Sequence, residues 1–258
     1  MLKRFILLTC LLCGYCFAQA QVKKKIKKGR RNKSQSQFIA DKNYLQAEWE
    51  VGHETINDEL STTVYPNLTL RYGISKQLEV NAEMNFITAT DRSAQPKNTT
   101  GTEPVMIGAN WLLLSETKKR PAVIFSAQIA IPFLAGKNFT AKYWAPLLQV
   151  NLEKPFGQKF IVGAGSGVFW DGFLPDPSFI YNVSGTYNAG KKIALAAEFS
   201  GFINGSPPQH NADLSITYTV NKQVQLGATA GTGISPAAHK NYFGINGVWG
   251  CSLKKRNG

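Results

Sequence analysis

The sequence predicts an all-β fold, a transmembrane antiparallel up-and-down β-barrel of about 12 strands, and three observations predict it. Apolar side chains alternate with polar ones in runs of roughly nine to eleven residues, the length a tilted strand needs to cross hydrocarbon. The connections between these runs alternate between tight turns and longer loops. Aromatic residues collect toward both ends of the apolar rows, as they do where a protein meets two membrane interfaces.

The alternation is clearest from Pro66 to Phe86. Leu68, Leu70, Tyr72 and Ile74 share one face, and after Ser75-Lys76-Gln77 the pattern resumes with Leu78, Val80, Ala82, Met84 and Phe86. Gln77, Glu79, Asn81, Glu83 and Asn85 take the other face, so this is a hairpin with one oily side. An earlier run, Leu45, Ala47, Trp49 and Val51, gives the first strand. Val105 to Leu113 gives the fourth, Val123 to Ile131 the fifth and Leu148 to Leu152 the sixth. Phe160 to Trp170, Phe179 to Tyr187 and Ile193 to Phe199 follow. The last three centre on Leu214 to Tyr218, Val224 to Ala230 and Phe243 to Trp249.

Ser75 to Gln77, Lys154 to Gln158, Ala189 to Lys191 and Asn221-Lys222 read as tight turns, with Ser115 to Pro121 somewhat longer. His53 to Thr63, Thr88 to Thr102, Phe133 to Lys142, Asp171 to Asp176, Ile203 to Gln209 and Gly233 to Lys240 read as the longer loops. Short turns at one rim and long loops at the other suit an outer-membrane barrel with its turns in the periplasm, and an even strand count brings both termini there.

The chain has 258 residues, 17% of them charged, and a mean hydropathy of -0.17, so its apolar residues are dispersed by alternation rather than bundled into helical spans. Residues 1–20 are a separate object. Lys3 and Arg4 precede the apolar run Phe5 to Phe17, and Ala18-Gln19-Ala20 fits a small-x-small cleavage site, the pattern of a secretory signal. A membrane anchor would need a longer run, and Cys10, Cys13 and Cys16 lack the context of a lipoprotein site. Removal of the signal leaves Cys251 as the one cysteine, which excludes an intramolecular disulfide or a paired-cysteine metal site. Residues 21–43 read as a basic disordered periplasmic arm, 44–253 as the barrel and 254–258 as a basic tail. The formal net charge of +13 resides in Lys3 and Arg4, in the arm's Lys23, Lys24, Lys25, Lys27, Lys28, Arg30, Arg31 and Lys33, and in Lys254, Lys255 and Arg256. The barrel region is close to neutral. The arm offers no aromatic before Phe38 to stack a base, which argues against nucleic acid. Anionic lipid head groups or an acidic periplasmic polymer suit it better, and a solvated tail is the bland reading.

Asn67 to Phe86, Ala212-Asp213-Leu214-Ser215-Ile216-Thr217-Tyr218 with Asn221-Lys222-Gln223-Val224-Gln225-Leu226, and the closing Tyr242-Phe243-Gly244-Ile245-Asn246-Gly247-Val248 resemble the outer-membrane β-barrel family labelled as transporters of the phenol meta-degradation pathway. The resemblance covers most of the chain after the signal. It implies a barrel with a transport role and no agreed catalytic residues. This chain departs from many barrels in running past Trp249 to Leu253 and a basic tail rather than ending on an aromatic.

If the apolar rows face lipid, the opposite rows face the lumen. The lining candidates are Glu48, Glu50, Arg71, Glu79, Glu83, Gln128, Gln149, Glu198 and Asp213, with Glu153 on the same row. Acid outnumbers base among them, and such a wall favours cations or polar neutral solutes. The alternative is that the carboxylates pair with Arg71 and turn lysines to fill a closed interior. Gly163, Gly165 and Gly167 alternate along one strand. No helix follows, so they are no dinucleotide fingerprint; they clear a strip that admits a solute, a loop or the arm, or they let the sheet coil. No cofactor or metal is expected, since His53, His210 and His239 lack ligand spacing. Ser235 lacks a nucleophile-elbow context. The expectation is a non-enzymatic passive channel for small solutes, hydrophobic or aromatic ones included. The alternatives are a non-conducting structural or surface-interaction barrel and, further off, an outer-membrane hydrolase.

Overall fold

The computed structural model describes residues 39–204 and 207–253. The expectations placed on the signal, on the arm before Ile39 and on the tail from Lys254 lie outside the described residues. The strands are β1 (Tyr44–Thr55), β2 (Leu60–Gly73), β3 (Leu78–Asp91), β4 (Asn98–Thr102), β5 (Val105–Leu114), β6 (Ala122–Ile131), β7 (Ala145–Phe156), β8 (Phe160–Phe169), β9 (Ser178–Asn188), β10 (Ile193–Ile203), β11 (Gln209–Thr219), β12 (Val224–Gly233) and β13 (Asn241–Ser252). Apart from β4 and β5, which both pair with β3, each strand pairs antiparallel with its sequence neighbours, and β1 closes the sheet against β13 from Tyr44↔Ser252 to Thr55↔Asn241. The β4 and β5 segments lie end to end along β3, with Phe86 to Thr90 against β4 and Leu78 to Glu83 against β5. Glu103 and Pro104 separate them, and a proline cannot donate to the ladder. The wall is therefore a closed 12-stranded barrel with β4 as a short additional strand.

All the anticipated runs are strands, in order, but two stretches read as loops are wall. The β1 and β2 strands run through most of His53 to Thr63, leaving residues 56–59 as the connection, and β3 with β4 takes up most of Thr88 to Thr102, leaving 92–97. Ser61, Thr62, Thr63, Thr88, Thr90, Thr99 and Thr100 satisfy the backbone ladder but present no oily face. Strand that protrudes beyond the hydrocarbon therefore carries none of the alternation that marks the membrane band.

The outside of the wall is apolar. Leu70, Trp111, Val183, Leu195, Leu214, Ile216, Leu226 and Ile245 are exposed, Leu214 to 68%. Phe160 packs on Tyr187 with ring centroids 5.0 Å apart near the short-turn rim, while Phe179, Phe199 and Phe243 stand exposed toward the other rim. No described helix is long and apolar enough to cross a membrane; strands do the crossing. A closed wall leaves no backbone edge for hydrocarbon to meet.

Residues 39–43, assigned by sequence to the disordered arm, are packed against the barrel. Asn43 donates its N–H to Gly73 O at 2.7 Å, and Lys42 bridges Gly73 in parallel. Gly73 is needed there, because a Cβ would stand 2.2 Å from Asp41 O.

Candidate functional site

The interior is polar along most of the wall, with the glycines of β8 as the exception. Gln46, Glu48, Asn67, Thr69, Arg71, Glu79, Asn81, Asn110, Gln128, Gln149, Asn151, Glu153, Asn182, Glu198, Ser200, Asn211 and Asp213 are all buried, whereas their sequence neighbours Leu68, Leu70, Val80, Leu148 and Leu214 are exposed. Period-two geometry produces this division: each strand sends successive side chains to opposite sides.

At the short-turn rim Arg71 lies between two carboxylates. Its Nε donates to Glu79 Oε1 at 2.7 Å and its Nη1 to Glu48 Oε1 at 3.2 Å. Gln46 Nε2 donates to Glu48 Oε1 at 2.8 Å, Asn110 Nδ2 to Glu79 Oε1 at 2.8 Å, and the Ala40 N–H to Glu79 Oε2 at 2.6 Å. The guanidinium and the two carboxylates are held together by the hydrogen bonds that a buried charge requires.

Toward the long-loop rim a second ladder forms. Asn67 Nδ2 donates to Glu83 Oε1 and Asn85 Oδ1, and Asn85 Nδ2 donates to Glu103 Oε2 at 2.8 Å. Gln128 Nε2 reaches Asn81 Oδ1 at 2.8 Å. Across β10 and β11, Glu198 and Asp213 occupy directly opposed positions, where like charges repel. Glu50 is half-buried on the inward row of β1 opposite Asn67.

The structure thus brings Glu48, Arg71 and Glu79 into one group and Glu198 and Asp213 into another, with Gln128 and Gln149 buried on the inward rows of β6 and β7. Gly163, Gly165 and Gly167 pair with Glu153, Asn151 and Gln149. Gly165 leaves no gap: a Cβ would lie 2.5 Å from Asn151 Oδ1 and 2.8 Å from Asn182 Oδ1, so flanking amides lie across it. Asn67, Asn110, Asn182 and Glu103 escaped notice in the sequence because no charge pattern marks an amide. Asn67 and Asn110 were legible by register alone, one inward place along from Thr69 and opposite Glu79 respectively, and Pro104 was the available marker for the break beside Glu103.

No catalytic pair forms between Ser235 and the His210 ring. Ser235 Oγ takes the His210 backbone N–H at 2.9 Å and donates to Pro208 O at 3.0 Å, while His210 Nδ1 lies 2.5 Å from Tyr181 Oη. His53 Nδ1 lies 2.9 Å from Thr63 Oγ1 and His239 Nδ1 lies 2.7 Å from Glu54 Oε1. Among the described residues, no three His, Cys, Asp or Glu side chains form a group able to hold a metal ion.

A closed antiparallel wall with an apolar exterior and a polar interior defines an outer-membrane β-barrel. The chain belongs to the family described as "Putative MetA-pathway of phenol degradation", which matches residues 28–250. Among solved structures it is similar to the COG4313 outer membrane channel from Pseudomonas putida F1, at 14% identity over 82% of this chain and 97% of that one, with a TM-score of 0.70. It is also similar to the KdgM porin in complex with disordered oligogalacturonate, at 6% identity, 79% and 98% coverage and a TM-score of 0.56. The NanC porin aligns at 10% identity, 79% and 98% coverage and a TM-score of 0.55. At these identities the likeness concerns the fold. No curated protein matches in sequence. The protein resides in the outer membrane.

Proposed function

We propose that this barrel is a passive channel for small solutes whose inward rows favour cations and polar neutral molecules over anions. The observation that carries the reading is the inward placement of Glu48, Glu50, Glu79, Glu83, Glu198 and Asp213 against Arg71 within a closed wall. Fixed carboxylates in a low-dielectric enclosure raise the local concentration of cations and repel anions. A wall of this sign is ill suited to a polyanion such as the oligogalacturonate bound by the KdgM porin. Phenols, which the family description associates with this fold, are mostly neutral at pH 7 and carry one polar group, so an acceptor-rich lumen offers them hydrogen bonds without charge repulsion. A liposome-swelling assay with sugars, amino acids and small phenols tests the reading. Swelling with neutral and cationic solutes, and slower swelling with matched anions, is expected. No permeation of any of them, or faster passage of anions, overturns it.

A further inference from the structure

We propose that the basic arm, Lys23 to Lys33, docks inside the lumen against the β9–β11 wall around Glu198 and Asp213. The proposal rests on the acidic interior described above and names an occupant for it. The first observation is the direction of the chain. Lys42 bridges Gly73 in parallel, and β2 runs from the long-loop rim to the short-turn rim. Passing back from Asn43 to Ile39 therefore leads away from the short-turn rim and deeper into the barrel. Ile39 and Ala40 are already enclosed, at 4% and 7% exposure, and Ala40 is tied to the inward Glu79. Read backward from Asn43, the described chain is thus aimed at the lumen where it reaches Ile39.

The second observation is the chemistry of the opposite wall. Glu198 faces Asp213 across β10 and β11, and Ser200, one inward place along, pairs with Asn182 and Asn211. Asn182 Oδ1, Asn151 Oδ1 and Ser200 Oγ are buried and take no hydrogen bond among the described residues. Asn182 and Ser200 are 4% and 6% exposed. Buried acceptors without donors are costly. Lysine and arginine supply only donors, and so suit a wall whose amide and hydroxyl oxygens lack them. The arm presents Lys23, Lys24, Lys25, Lys27, Lys28, Arg30, Arg31 and Lys33 with no acidic residue between them.

Reach is sufficient. The β3 and β10 strands lie on opposite sides of the wall, a separation on the order of 25 Å for this strand number and spacing. Six residues of extended chain from Ile39 back to Lys33 span roughly 20 Å, and sixteen back to Lys23 roughly 53 Å.

Trypsin tests the proposal directly, because every basic residue of the arm is a cleavage site. The mature chain is folded into detergent micelles, with heat-modifiable migration on gels as the folding control. At low salt the arm should be cut at least about 10-fold more slowly than in the heat-unfolded chain, since cleavage must wait for the docked segment to open. Raising salt to about 1 M, where the Debye length is roughly 3 Å, should release it, and E198Q/D213N should release it at low salt. If that double variant does not fold, the salt series on the unaltered chain decides. Cutting of the folded chain at the unfolded rate overturns the proposal, as does protection that arises only on adding vesicles of anionic lipid. In planar bilayers, a chain lacking residues 23–33 should conduct more and prefer cations more strongly than the full mature chain. Absence of conductance with and without the arm would overturn the channel reading, while the protease result would still decide whether the arm is docked.

Discussion

Arg71 shows how a single side chain organises the short-turn rim. Its guanidinium holds Glu48 and Glu79 together at 3.2 and 2.7 Å, and Glu79 is wholly buried at 0% exposure. Removing one member of such a group leaves uncompensated buried charge, so Arg71→Ala should cost about 3–5 kcal/mol in the urea unfolding of liposome-embedded protein. The triple variant R71M/E48Q/E79Q removes the charges together and should recover most of that loss. The outer face obeys the opposite rule. Leu214 stands mid-strand and exposed to lipid, and Leu214→Arg should destabilise by about 2–4 kcal/mol, the cost of a base near the bilayer midplane. Ser215→Arg, at nearly the same depth but on the inward row of β11, should cost far less in lipid. Equal losses at the two positions would show that the faces are assigned wrongly. These residues were readable from the alternation alone, since Leu214 and Asp213 are adjacent and period two sends them to different solvents. The grouping of Arg71 with Glu48 was not readable, because twenty-three positions separate them and only the β1–β2 register places them together.

Among the elements, the loops at the long-loop rim carry a separate device. Lys240, before β13, pairs with Asp58, between β1 and β2, and donates its backbone N–H to Ile56 O at 3.4 Å. The ammonium beside it holds the Asp58 carboxyl below the usual carboxylate range. A depressed folded-state pKa contributes order above the unfolded value and loses it as pH falls through the folded one. Amide exchange at 56–60 and 234–240, corrected for intrinsic rates, should therefore be slower at pH 7 than below the carboxylate range. In Asp58→Asn that pH dependence should vanish. Because the pair is exposed, global unfolding should be nearly unchanged. The strand extensions belong to this scale too. The β2 and β3 strands rise beyond the membrane band on threonines, which satisfy the ladder without an oily face. Apolar periodicity reports the solvent a strand sees rather than the strand itself, which is why these extensions read as loops.

For the whole molecule, the charge on the inner wall should set ion selectivity. In a chain lacking residues 23–33, neutralising Glu198 and Asp213 together should reduce cation preference in bilayer recordings, measured as a shift of reversal potential toward zero in a salt gradient. A shift in the opposite direction would place those carboxylates outside the permeation path. By itself the sequence determined the barrel, its strand order and which face of each strand is oily, because a two-residue period combined with membrane-length runs has few other physical solutions. Only the tertiary structure decided which inward residues meet, since contacts across a barrel depend on register and closure between strands distant in the chain. It alone decided that β4 and β5 share one place in the wall, and that the chain before Tyr44 turns back along β2 toward the interior. Such a turn leaves no periodic trace, because it depends on Gly73 letting one backbone approach another.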